Sequence, residues 1–124
     1  MKVKNIRLEI KGEEEFVSES KDVMRKLSRG VGVKARSVIS FKSLRVMRKF
    51  ITDERLRILT TTKKYHPSSV YELAKILKRD TKNVSSDVDF LEEIGLLEVK
   101  KSYKGRSKST PTVNYDKILL EIPV

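Results

Sequence analysis

Residues 69–95 read SVYELAKILKRDTKNVSSDVDFLEEIG, and this stretch decides the fold. Ser69 and Glu72 have the spacing of a capping box, in which a hydroxyl and a carboxyl satisfy free amides at a helix start. Val70, Leu73, Ala74 and Leu77 follow at i, i+3, i+4 and i+7, one face of a helix. The link KRDT is short, and Asp80 or Thr81 caps the next helix. Val84, Val88 and Leu91 repeat the apolar spacing, and Gly95 suits a left-handed stop. At about 100° per residue, the opposite face holds Lys82, Ser85, Ser86, Asp89 and Glu93. Asn83 lies on one shoulder of that face. Asp87 lies near the core edge, where a carboxylate needs a cation from a neighbouring helix.

Downstream, LLEVKKSY reads as a strand, KGRSKST as a turn, PTVNYDK as a second strand and ILLEIPV as a last strand. Upstream, Thr52 caps a helix whose first turn holds Asp53 and Glu54, where the helix dipole favours acids. Leu56 and Leu59 are expected to face inward, and His66-Pro67 breaks the chain. Ser40 could cap a helix over 41–51, with Leu44, Met47, Phe50 and Ile51 on one side and Lys42, Arg45, Arg48 and Lys49 on the other. Further upstream, residues 3–10 alternate at Ile6, Leu8 and Ile10 and predict a strand. Residues 13–29 predict a helix along Phe16, Ser20, Val23, Met24 and Leu27, stopped by Gly30. A turn and a short extended piece follow in GVGVKARSVISF. Tyr65, Tyr71, Tyr103 and Tyr115 are expected to be packing residues.

Three helices followed by a basic hairpin predict an α+β fold: a winged helix-turn-helix over residues 41–124, with an N-terminal strand-helix extension over 1–40. The apolar strand 3–10, the helix 13–29 and the tail 118–124 exceed what a minimal winged helix needs. They are expected to form a homodimer interface.

The net charge of +11 points to a polyanion partner, and its placement is uneven. Residues 1–51 hold 14 Lys/Arg against 6 Asp/Glu, residues 52–99 hold 8 against 9, and residues 100–124 hold 6 against 2. The middle third is near neutral and the cations flank it. Residues 100–108 carry five cations and no acid. Cysteine is absent, which excludes disulfides, thiolate zinc sites and thiol nucleophiles. A single histidine, carboxylates at helix starts, and no phosphate loop or zinc spacing argue against an enzyme, a metal or a cofactor. No glutamine and many charged residues lean towards a thermophilic source. No apolar run reaches membrane-spanning length and the start has no signal-peptide core, so a cytoplasmic protein is expected.

The segment ITDERLRILTTTKKYHPSSVYELAKILKRDTKNVSSDVDFLEEIGLLE, with ISF before it and YDK after it, resembles the MarR-like winged-helix DNA-binding proteins of archaea and bacteria over roughly residues 38–122. That resemblance implies sequence-specific binding of double-stranded DNA in transcription control. Some relatives look like antitoxins that repress their own operon, so a toxin partner is a further implication. The motif positions carry over as Lys82, Asn83, Ser85, Ser86 and Asp89, the expected base-reading set. Relatives tend to have basic residues at the places of Ser86 and Asp89. The expected DNA-backbone set is Thr81, Lys100, Lys101, Lys104, Arg106 and Lys108, together with Lys42, Arg45 and Lys49. Asp89 fits two roles, accepting from a cytosine amino group or lowering non-specific affinity. The alternative to DNA binding is a winged helix used as a protein-interaction or RNA-binding module.

Overall fold

The computed structural model describes residues 5–20, 25–27, 30–35, 37–103 and 108–124. It is a mixed α+β chain that divides into two compact units. Residues 1–52 and 115–124 make the first unit, and residues 53–114 make the second.

The first unit is built on a five-stranded sheet. Strand β1 (Asn5–Ile10) is followed by helix α1 (Glu13–Ser20), then β2 (Arg25–Leu27), β3 (Val31–Ala35) and β4 (Val38–Phe41). Helix α2 (Leu44–Phe50) comes next, and the last strand of the chain, β7 (Lys117–Glu121), closes the sheet. The strand order is β2-β3-β4-β1-β7. β1 runs parallel to both its neighbours, with Leu8 opposite Ile39 on one side and Leu120 on the other. β2, β3 and β4 form an antiparallel meander. The alternation expected at Ile6 and Leu8 is realised: both are buried, with Phe16, Val31, Ile39 and Phe41. The other side of β1 carries a buried carboxylate, Glu9. Its Oε1 accepts from the Ser40 hydroxyl at 2.7 Å, with Lys34 Nζ at 3.7 Å and Lys11 Nζ at 3.8 Å. A buried carboxylate persists only with such partners.

The helix expected over 13–29 is corrected here. α1 ends at Ser20, and Arg25–Leu27 is a strand paired with β3. Val23 and Met24 lie outside the described residues. Gly30, at φ 87°, is a turn before β3 rather than a helix stop. Both uses draw on glycine's access to the left-handed region, so the residue alone does not separate them. The helix expected over 41–51 is also shorter. Phe41 belongs to β4, and Ser43 rather than Ser40 is the cap, accepting from the Val46 N–H at 3.1 Å. β1 is paired on both edges inside the sheet, with Ile6 and Leu8 buried and Asn5 and Arg7 exposed, so it offers no open edge to a second strand. The tail is a strand, as expected. Because β7 pairs with β1, it groups with residues 1–52 and not with the helices before it. The units therefore divide at 52/53 and 114/115, where the sequence suggests 40/41.

The second unit contains α3 (Asp53–Tyr65), α4 (Val70–Leu77), α5 (Thr81–Ile94) and the antiparallel pair β5 (Glu98–Ser102) and β6 (Lys108–Thr112). Ile58, Leu59, Leu73, Ala74, Leu77, Val84, Val88, Leu91, Ile94, Leu96 and Leu97 form its core. Leu56 is exposed, contrary to expectation, and the inner stripe of α3 is Ile58, Leu59 and Thr62. Of the four tyrosines only Tyr115 is buried; Tyr65, Tyr71 and Tyr103 are exposed. Burial raises the pKa of the Tyr115 phenol above its usual value. Among the described residues, no helix is long and apolar enough to cross a membrane.

Candidate nucleic-acid interface

α5 is held by its ends and by one carboxylate. At its start, the Asp80 side chain accepts from the Asn83 N–H at 3.1 Å. At its end, Gly95 adopts φ 91° and its N–H bonds back to the Glu92 carbonyl. The α4 side of the link is capped too. Ser69 accepts from the Glu72 N–H at 3.0 Å, and the Glu72 carboxylate accepts from the Ser68 N–H and hydroxyl. Lys78 closes α4 in a left-handed conformation, φ 57°, a cost the tight link imposes on a residue with a side chain.

Asp87 has the structural role expected of it. Its Oδ1 accepts from Arg55 Nε of α3 at 3.1 Å, and its Oδ2 accepts from Arg79 Nη2 at 3.0 Å. Arg79 Nε also lies 3.3 Å from Glu54, and the Arg55 guanidinium lies 4.3 Å from the centre of the Phe90 ring. This clamp ties α5 to α3 and to the link before it. The position of Asp87 at the core edge signals a cationic partner. Arg55 and Arg79 carry no periodic signature, so the sequence does not single them out.

With Val84, Val88, Leu91 and Ile94 buried and Asp87 held in the clamp, the opposite face of α5 is turned outward. Thr81, Lys82, Asn83, Ser86 and Asp89 are exposed, and Ser85 is half-buried. Lys82, Ser86, Asp89 and Glu93 fall on one stripe by helical spacing, which runs from a cation at the N-terminal end to acids at the C-terminal end. On the hairpin, Lys100, Lys101 and Lys108 are exposed, with Lys101 opposite Ser109 and Ser102 opposite Lys108. Lys104 and Arg106 lie outside the described residues. The hairpin is anchored at its base: the Thr110 hydroxyl donates to the Ser68 carbonyl at 2.7 Å, and Asn114 Nδ2 donates to Glu98 at 2.8 Å.

Lys42, Arg45 and Lys49 belong to the other unit. Arg45 and Lys49 are exposed on α2. Lys42 precedes the helix and is half-buried, with its aliphatic stem lying over Gly30. It therefore has a packing role that the spacing of cations does not reveal.

The model of the family described as HVO_A0114 matches residues 50–120, more than half of the sequence. The chain belongs to the HVO_A0114 family. The HVO_A0114 match begins just before α3, takes in α4, α5 and the hairpin, and runs into β7. No curated protein matches the chain.

Proposed function

We propose that the chain is a winged helix-turn-helix protein that binds double-stranded DNA in the cytoplasm and regulates transcription, as a dimeric repressor or an antitoxin-type autoregulator. The observation that carries this reading is the exposure of Lys82, Asn83 and Ser86 on the first turns of α5, with a cationic hairpin following the helix. Lys can bond to guanine, Asn to adenine and Ser to several bases, and hairpin cations can hold flanking phosphates. The resemblance to MarR-like proteins over residues 38–122 supports the same reading.

One observation favours a second reading. The exposed stripe of α5 turns acidic at Asp89 and Glu93, which phosphate repels and a basic protein surface attracts. On that reading α5 packs on a protein partner.

A competition assay on the chain's own promoter separates the two. Lys82→Ala or Asn83→Ala should cost about 1–3 kcal/mol on the specific duplex and little on a scrambled one. Equal losses on both duplexes would mean α5 does not read sequence. No effect on either would give the protein-partner reading the lead.

A further inference from the structure

β7 lies at the edge of the five-stranded sheet, with β1 on one side and, among the described residues, no strand on the other. It is an unusual edge. Natural edge strands are blunted by lysines, prolines or bulges, because an open ladder invites another strand. β7 reads KILLE: its one lysine stands at the first position, its middle three residues are apolar, and Pro123 comes only after it. Leu119 and Leu120 are 46% and 47% exposed, and Ile122 just beyond is 48% exposed.

The backbone groups on the open edge can be assigned. The N–H groups of Arg7 and Lys11 donate to the Ser37 and Phe41 carbonyls, towards β4. Strand alternation then turns Ile6 and Leu8 towards β7. In the parallel register of Ile6 with Ile118 and Leu8 with Leu120, those groups engage Lys117, Leu119 and Glu121. Ile118 and Leu120 are left with their N–H and C=O pointing outward.

The sequence of β7 is complementary to itself when reversed about Leu119. In an antiparallel pair centred there, Leu119 meets Leu119 of a second copy, and Ile118 meets Leu120. Lys117 meets Glu121, twice. The outward groups of Ile118 and Leu120 form the hydrogen-bonded pairs, and Leu119 forms the close non-bonded pair. Centring on Ile118 or Leu120 loses both charge pairs.

We infer that β7 is the seam of a two-fold homodimer, in which the β7 strands of two copies of this chain pair antiparallel about Leu119 and join their sheets into one. The operation is isologous and closed, so it consumes the open edge without starting a fibre. The seam rests on the dimeric part of the proposed function and names where that dimer forms. No DNA enters its test, so a failure to bind any duplex leaves this result standing.

The full chain should be a dimer by light scattering at micromolar concentration. Lys117→Glu and Glu121→Lys each set like charges opposite one another across the seam. Each should raise the dimer Kd by about tenfold. Mixing the two single variants should restore dimers as heterodimers, because acids then face lysines at both positions. The double variant should restore the homodimer. A cross-link gives an independent readout, since the chain has no cysteine. Leu119→Cys should form an interchain disulfide under mild oxidation, and Ile122→Cys should not. A monomeric wild-type chain, single variants that dimerise as the wild type does, or a mixture that fails to restore dimers would overturn the seam.

Discussion

Gly30 and Gly95 both hold positive φ, yet they do so in different surroundings. A Cβ at Gly95 would meet nothing within 4 Å, so Gly95→Ala should cost only the left-handed strain, about 1–2 kcal/mol. A Cβ at Gly30 would stand 2.6 Å from Cγ of Lys42, so Gly30→Ala adds displacement of that stem to the same strain. Urea unfolding of the two variants should rank Gly30→Ala as the more destabilised. Tyr115 gives a pH prediction. Burial favours its neutral phenol, so its folded pKa lies above the unfolded value of about 10. The stability from that neutral form is fully present below pH 10 and declines as pH rises beyond it. Tyr115→Phe should therefore lose less stability between neutral and alkaline pH than the wild type, as thermal melts across that range would show.

The clamp on α5 and the hairpin after it are separable devices. Asp87→Asn leaves Arg55 and Arg79 with weakened partners at a part-buried site, and should cost about 1–3 kcal/mol in chemical denaturation. It should leave the salt dependence of duplex binding unchanged. Lys100→Ala, Lys101→Ala and Lys108→Ala should do the reverse, lowering affinity for all duplexes alike, with the salt slope falling by about 0.9 for each phosphate no longer neutralised. An unchanged slope would remove the hairpin from the mechanism. At this scale the sequence is most informative where structure is local. Val84, Val88 and Leu91, the Ser69 and Asp80 caps and the Gly95 stop all appear as read, because each depends on residues within a turn or two. Residues 25–27 mislead a helical reading because their strand state comes from pairing with β3, a partner that helix periodicity does not weigh. The base-reading candidates share one helix, whereas Lys42, Arg45 and Lys49 fall in the other unit, a division no local pattern encodes.

Across the molecule, the two units differ in how they are wired. Residues 53–114 complete their own core from consecutive elements, so a fragment of those residues should show a cooperative unfolding transition by circular dichroism, though a marginal one at that size. The first unit has no such independence. Its strand β1, paired on both edges, takes β7 as a neighbour, with Asn5 opposite Lys117, so deleting residues 115–124 should expose Ile6 and Leu8 and raise binding of an apolar dye, while the helices of residues 53–114 keep their signal.

The parallel pairing of β1 with β7 also sets a schedule. A ribosome makes β1 well before β7, and β1 must then wait with one edge unfilled while the residues between them are synthesised. Residues 53–114 can fold during that interval, since domains fold as units once their residues emerge. The sheet closes only after residue 121 has cleared the exit tunnel. The nascent chain thus carries an apolar strand with one edge uncovered throughout that interval, and the arrival of β7 ends its exposure to chaperones and to other nascent chains.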